Sequence, residues 1–478
     1  MDDDPRGNGE DIARTGLAGG HAPFLPRRTR SLCPTCGEVI DATLSDVDGQ
    51  VVMTKECPDH GHFETLVSSD AEHYVRSAHH ERPGKEPLRR LGVVERGCPH
   101  DCGLCPEHRQ HTCVGVIEIT GVCDLECPVC FADASKGTHL PLETVKGMID
   151  LLVECEGEVE VLQVSGGEPT SHPDILEILE YAGQQGVRYP MLNTNGVRLA
   201  DIGFARAVAA TVPSEGSTVG VPVIYLQFDG VTEGPYEALR GEPLLDLKMR
   251  AIDNCRETGI SVVLVPTIVE GVNDDQMGAI IELALSDPVI KGVNFQPAAR
   301  VGRYALDEEI EDVALTIPDV LRAIDEQTDG DVGVDSFVTV PCPHPACSAM
   351  SYVYRDDELT MTLLDLVDTD LFMKYMADQA VPFGQVVSET LETAADAFDM
   401  SGMVGKEIQG LACCPTGFQV PAIRELIDRI TLVTVHAFMD ARNFDLERAT
   451  KCCVTEVLAD GRMVPFCVYN NLYRDGGC

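Results

Sequence analysis

The segment Val114 to Phe131 reads VGVIEITGVCDLECPVCF. Its apolar opening, Val114 to Thr120, predicts a buried strand, and Cys123, Cys127 and Cys130 follow with CX3CX2C spacing. Three thiolates on one tight loop can hold three irons of a 4Fe-4S cube and leave the fourth iron without a protein ligand. The competing reading, a zinc knuckle, is weaker because structural zinc takes its fourth ligand from protein. An open iron implies a ligand from substrate or cofactor.

Downstream, the apolar run Val159 to Val164 leads into Ser165-Gly166-Gly167-Glu168-Pro169. Glycines there permit close backbone approach to a ligand, and Glu168 offers a carboxylate to a cationic group. Strand-like runs continue at Tyr189 to Asn195, Val223 to Asp229, Ser261 to Val269 and Gly292 to Pro297, with helical patterns between them. Six βα units predict an open, partial (β/α)6 barrel, with chemistry at the C-terminal ends of its strands. Strands buried on both faces should read as continuous apolar runs. These instead carry polar residues of one parity near their ends: Glu118 and Thr120, Gln163 and Ser165, Asn193 and Asn195, Gln227 and Asp229, Asn294 and Gln296. Alternation points each set to one side, and the barrel lumen is the side that can use them. Cys155 and Cys255 fall on apolar helix faces and read as core.

The remaining cysteines form three further groups. Cys33-Pro-Thr-Cys36-Gly and Cys57-Pro-Asp-His60-Gly flank a hairpin turning at Asp48-Gly49, which is the pattern of a zinc ribbon or rubredoxin-type mononuclear site, for iron or zinc, with His60 as candidate fourth ligand. Cys98, Cys102 and Cys105 repeat the CX3CX2C spacing without a following GGEP turn and predict an auxiliary cluster. Cys113 reads as core, and His100, His108 and His111 as surface residues. Beyond residue 300, Cys342, Cys347, Cys413 and Cys467 are the candidates for a second auxiliary 4Fe-4S cluster, with Cys452 competing for the fourth place. The expected organisation is a disordered leader over 1–28, a metal-binding segment over 29–112, the barrel over 113–300 and a cysteine-containing α+β extension over 301–478.

The chain has 478 residues, with 78 acidic against 36 basic side chains and a net charge of −42. Such a surface opposes binding to phosphate backbones, so nucleic acid is excluded as a favoured partner. The acidity is spread along the chain, as on salt-in halophilic proteins. No run is long and apolar enough to span a bilayer and the N-terminus is no signal peptide, which predicts a cytoplasmic protein. Twenty cysteines then argue for metal rather than disulfides.

The CX3CX2C loop after a first strand, followed by the GGEP turn after a second, resembles the radical S-adenosylmethionine (SAM) superfamily. The order CPTCG, CPDHG, GCPHDCGLCP, CDLECPVCFADAS, SGGEPT, YLQFDGVTE, VVLVPTIVEGVND, GVNFQP, NFDLER and PFCVYN, from about Ser31 to Asn470, resembles its archaeal tetraether lipid synthase branch, also described as dihydropterin methyltransferase-like. The resemblance implies that SAM chelates the open iron at Cys123, Cys127 and Cys130, and that Ser165, Gly166, Gly167 and Glu168 hold its amino group. It further implies contacts to SAM from Asn195, Gln227 and Gln296, with Glu118 and Asp229 free to face substrate. Val129 replaces the aromatic residue usual before the third cysteine, and Phe131 is expected to take over its packing. The implied chemistry is reductive SAM cleavage to a 5'-deoxyadenosyl radical that abstracts hydrogen from an unactivated carbon. Electrons would come from a donor such as ferredoxin or flavodoxin. The favoured outcome on this reading is carbon–carbon bond formation on isoprenoid lipid chains, with peripheral membrane contact; the alternative is methylation of a dihydropterin precursor, a small-molecule substrate.

Overall fold

The computed structural model describes residues 24–134, 137–213, 217, 219–306, 314–340, 343–356, 359–365, 369 and 429–474. Cys342 and Cys413 lie outside them, as does the leader up to residue 23.

The chain opens with an antiparallel four-stranded ribbon, β1 (Arg27–Leu32), β2 (Val39–Val47), β3 (Gln50–Cys57) and β4 (Gly61–Ser68), in sequential order. Asp48 and Gly49 both have positive φ, 53° and 84°, as a two-residue hairpin turn requires. β1 starts within the stretch expected to be leader. Arg27 fixes it by donating to Tyr74, Asp445 and Glu447, partners far away in sequence. The helix α1 (Ala71–Ala78) follows, capped by the Asp70 carboxylate on the His73 N–H at 2.8 Å.

The barrel strands are β5 (Val114–Thr120), β6 (Val161–Gly166), β7 (Tyr189–Thr194), β8 (Val223–Gln227), β9 (Ser261–Val265) and β10 (Ile290–Pro297), each parallel to the next. They match the six expected strands to within about two residues at most ends. β9 is interrupted at Pro266, which has no N–H for the ladder, and parallel pairing with β10 resumes at Thr267–Ile268. Helices α2 (Leu142–Glu156), α3 (Ile175–Gln184), α4 (Ile202–Ala209), α5 (Gly234–Arg240), α6 (Leu245–Thr258), α7 (Met277–Ser286) and α8 (Ile317–Gln327) follow in chain order. On α2 the stripe Val145, Met148, Ile149, Leu152 and Cys155 is buried against the sheet, and Cys255 is likewise buried on α6.

The sheet does not end at six parallel strands: described strands from beyond residue 300 continue it. β11 (Ser348–Arg355), β12 (Ile430–His436), β13 (Val454–Val457) and β14 (Met463–Pro465) join it, giving the order β11-β12-β10-β9-β8-β7-β6-β5-β13-β14, with Val338–Thr339 outside β11. β12 runs parallel to β10 and β13 parallel to β5, so the C-terminal part extends the barrel sheet at both edges. Val433, Val435 and Val457 of these strands join the barrel core, and an otherwise bare sheet edge would leave backbone groups unpaired.

Candidate active site

The cysteine loop leaves β5 at its C-terminal end and is held from three sides. Val129–Cys130 pairs antiparallel with Arg303–Tyr304, and the Arg303 guanidinium donates to the Cys127 carbonyl at 3.0 Å and the Ala134 carbonyl at 3.0 Å. From below, β6 presses against the loop. A side chain on Gly166 would put Cβ 2.3 Å from the Thr120 carbonyl, and one on Gly167 would put it 2.3 Å from the Val122 carbonyl. The glycines of the GGEP turn therefore permit backbone-to-backbone packing against the cysteine loop while lining the cavity expected to take a ligand.

Glu168 is held as closely. It is only 2% exposed, and its carboxylate accepts from Thr170 N–H (3.0 Å), Thr170 Oγ1 (2.6 Å), Thr194 Oγ1 (2.7 Å) and Asn195 N–H (2.7 Å). Burial pushes its pKa up while these donors pull against it. With four internal donors it ties the ends of β6 and β7 together. Asn195 in turn donates from Nδ2 to Asp124 Oδ1 at 2.6 Å, binding β7 to the cysteine loop. Gln227 is held between the Lys248 ammonium (2.6 Å) and the Asp229 carboxylate.

Asp229 does not face substrate. It is fully buried and pairs bidentately with Arg240, from Nε at 2.7 Å and Nη2 at 2.7 Å. Arg240 also donates to the Val129 carbonyl at 2.9 Å and contacts Cys127. Glu118 does reach the lumen, where Arg474 holds it at 2.7 Å and Tyr469 Oη lies 3.2 Å away. Arg240, Lys248, Arg474 and Tyr469 carry no local motif, since arginines and lysines on helices ordinarily read as solvated. Fully enclosed, Lys248 has its pKa lowered by burial to about 7.

One cavity of about 330 Å³ is lined by Cys123, Cys127 and Cys130 together with Ser165, Gly166, Gly167, Glu168, Asn195, Gln227, Gln296 and Phe131. Phe131 stacks on Phe466 at 5.4 Å and meets Phe438 edge-on at 5.3 Å, forming one aromatic wall. The three thiols are half-buried, and the Leu125 N–H already points at Cys123 Sγ at 3.5 Å. As free thiols, Cys123 is pushed up to about 12 by burial and Cys127 also upward, so a metal must displace their protons. These residues fit an iron-sulfur group facing the cavity.

In the ribbon, Cys33, Cys36, Cys57 and His60 have ligand atoms all within 4.8 Å of one another, the only such set among the described residues. Burial would raise the Cys33 thiol, but hydrogen bonds from the Cys36 and Thr35 backbone N–H groups and the Cys36 and Cys57 thiols together bring it down to about 6. Cys98, Cys102 and Cys105 are all buried, Cys98 and Cys102 in a cluster with Leu32, Phe444 and Cys467. Arg448, fully enclosed, donates from Nε to Cys347 Sγ at 3.4 Å and is electrostatically coupled to Cys467, while Cys452 is coupled to both cysteines. Cys113 packs against Cys453. His108 is buried rather than at the surface, its Nε2 2.9 Å from the Cys452 carbonyl oxygen, with its pKa lowered by burial to about 4.

A zinc ribbon family, described as the HMPTM N-terminal zinc ribbon domain, matches residues 25–69, and the radical SAM superfamily matches residues 117–284. The chain is 33% identical to 7,8-dihydro-6-hydroxymethylpterin dimethyltransferase of Methanocaldococcus jannaschii, across 94% of each protein. This chain is a radical SAM protein. Over 35% of its length it is 28% identical to mycofactocin maturase of Mycolicibacterium smegmatis, covering 40% of that protein. Against the mitochondrial GTP 3',8-cyclase of Arabidopsis thaliana it is 26% identical over 48% of its length, covering 61% of the cyclase. The solved structure of Streptococcus suis SuiB with its precursor peptide shares 16% identity and a TM-score of 0.38 over 46% of each chain. Membership makes the chain a radical SAM enzyme with a 4Fe-4S cluster and SAM as cofactors. No described helix is long and apolar enough to cross a membrane.

Proposed function

We propose that this radical SAM enzyme methylates a dihydropterin, placing the pterin reading ahead of isoprenoid lipid coupling. The observation that carries it is the 33% identity to the pterin dimethyltransferase over 94% of both chains, which takes in the ribbon and C-terminal part as well as the barrel. When bound, the cluster and SAM supply one-electron chemistry at carbon. This chain's residues do the rest. Cys123, Cys127 and Cys130 hold the cluster, Glu168 and Asn195 keep the β6 and β7 ends seated against the cysteine loop, and the wall of Phe131, Phe438 and Phe466 excludes water. Gln163, Asn193, Asn294 and Gln296 place amides in a cavity whose remaining lining is largely apolar, a combination that suits a flat ring with a polar edge. Auxiliary clusters at Cys98, Cys102 and Cys105 and around Cys347, Cys452 and Cys467 belong to the same reading, as does a low-potential donor of the ferredoxin or flavodoxin kind.

The test is incubation of iron-sulfur-reconstituted, reduced protein with SAM and 6-hydroxymethyl-7,8-dihydropterin, with isoprenoid ether lipids in a parallel reaction, followed by mass spectrometry. A methylated pterin is the expected product. SAM cleavage with coupled lipid chains and no methylated pterin would overturn the reading.

A further inference from the structure

We infer that Asn193 and Tyr225 read the lactam edge, an adjoining C=O and N–H, of a planar heterocyclic substrate at the floor of the lumen. Asn193 on β7 and Tyr225 on β8 are direct register partners, so their side chains leave neighbouring strands side by side. They sit one pleat deeper than Asn195 and Gln227, which occupy the strand ends nearest the cysteine loop. All four line the same cavity.

The network beneath determines what these two groups can offer. His436, kept neutral because burial lowers its pKa to about 4, lies with Nδ1 2.9 Å from Asn294 Oδ1. An amide oxygen can only accept, so Nδ1 carries the hydrogen. The Asn294 amide then donates to the Tyr225 oxygen, Gln296 Nε2 donates to it at 3.1 Å, and Gln163 is a third partner. An oxygen so supplied with donors keeps its own hydrogen for another acceptor, and no protein acceptor takes it among the described residues. Asn193 donates from Nδ2 to Gln163 Oε1 at 3.2 Å, while its Oδ1 is buried with no partner among the described residues. A free O–H donor thus stands beside a free carbonyl acceptor. That pair is complementary to a lactam, whose C=O accepts from Tyr225 and whose N–H donates to Asn193. Leaving a buried polar atom unpaired is costly, so a ligand that satisfies both is favoured over one that satisfies neither.

The inference deepens the dihydropterin reading and rests on it for the identity of the ligand, since a pterin carries such an edge at its 4-oxo and N3 positions. A 4-amino analogue reverses donor and acceptor at that edge. The experiment titrates the reconstituted wild-type holoprotein, with SAM bound, against 6-hydroxymethyl-7,8-dihydropterin and its 2,4-diamino analogue, and against the base pair hypoxanthine and adenine. Tyr225→Phe is titrated alongside. The expected result is about tenfold or greater preference for the oxo member of each pair that binds, as a site built to pair polar groups discriminates strongly. In Tyr225→Phe that ratio should fall toward unity. Equal affinity for oxo and amino forms in the wild type overturns the inference, whatever the variant does, and leaves the pterin reading standing. Binding of hypoxanthine over adenine with no pterin bound supports the lactam site and overturns the pterin reading. No binding of any lactam overturns both.

Discussion

Arg240 joins the barrel to the cysteine loop through a single buried guanidinium. It is 7% exposed, grips Asp229 with two bonds of 2.7 Å, and reaches both the Val129 carbonyl and the Cys127 side chain. Removing one member of a buried pair leaves the other charge stranded, at a cost of about 3–5 kcal/mol. Arg240→Met should therefore lower the unfolding free energy by that order, measured by chemical denaturation under anaerobic conditions. A cost below about 1 kcal/mol would mean that water reaches Asp229. Glu456 presents the opposite case. On β13 opposite Val116, it is 1% exposed and neither carboxylate oxygen has a partner among the described residues. Burial first, and then the Glu118 carboxylate, raise its pKa well above the ordinary 4.5, with Arg474 pulling the other way. An acid whose folded pKa is raised binds more protons folded than unfolded, so it loses stability as pH rises above 4.5. Glu456→Gln should then be more stable than wild type by about 1–3 kcal/mol at neutral pH, with the advantage shrinking as pH falls toward the ordinary carboxylate value. A thermal melting series across pH reads both the sign and the window.

At the scale of elements, the junction of β6 with the cysteine loop is the tightest contact near the site. Gly166 has φ of 125°, and a Cβ there would meet the Thr120 carbonyl at 2.3 Å. Gly166→Ala should cost about 2 kcal/mol or more and lower the iron bound per chain, because the loop cannot keep its seat. Iron assay together with melting temperature checks this; full iron content in a destabilised variant would show that the loop folds independently of β6. The ribbon yields a second test. Its thiols and His60 close on one point, so Cys57→Ser should lose one metal ion per chain by elemental analysis while cluster iron is retained. Much of this level was legible in the sequence. CX3CX2C, CPTCG and GGEP place their residues by local spacing, and the six barrel strands show as apolar runs with polar ends. What was not legible depends on distant partners. β12 and β13 are short apolar runs whose parallel pairing with β10 and β5 no local pattern encodes. The GGEP motif identified Glu168 but not its four donors. Tyr225 shares parity with Gln227 and was within reach of the alternation argument, whereas His436 enters the lumen from a strand more than two hundred residues away in sequence.

At the scale of the whole molecule, the chain closes on itself. β12 and β13 extend both edges of the barrel sheet, Arg27 of the ribbon pairs with Asp445 and Glu447, and the enclosed Lys55 ammonium donates to the Ala441 carbonyl at 2.8 Å and the Arg442 carbonyl at 2.7 Å. The N-terminal ribbon, the barrel and the C-terminal strands are therefore coupled in unfolding. Over this one body lies a net charge of −42. Among the described residues, buried pairs such as Arg240–Asp229 and Arg27–Asp445 neutralise few charges, and like charges held close together repel more strongly folded than extended. The screening length is about 10 Å at 0.1 M salt and about 3 Å at 1 M, so raising salt removes most repulsion between neighbouring carboxylates. The melting temperature should rise by on the order of 5 °C from about 0.05 M to about 1 M KCl, with the steepest gain at the low end, where screening changes most. Sucrose at matched osmolality separates charge screening from exclusion of solute from the surface, since it acts without screening. If sucrose reproduces the whole rise, the carboxylate surface contributes solubility and hydration but no net repulsion in the folded state.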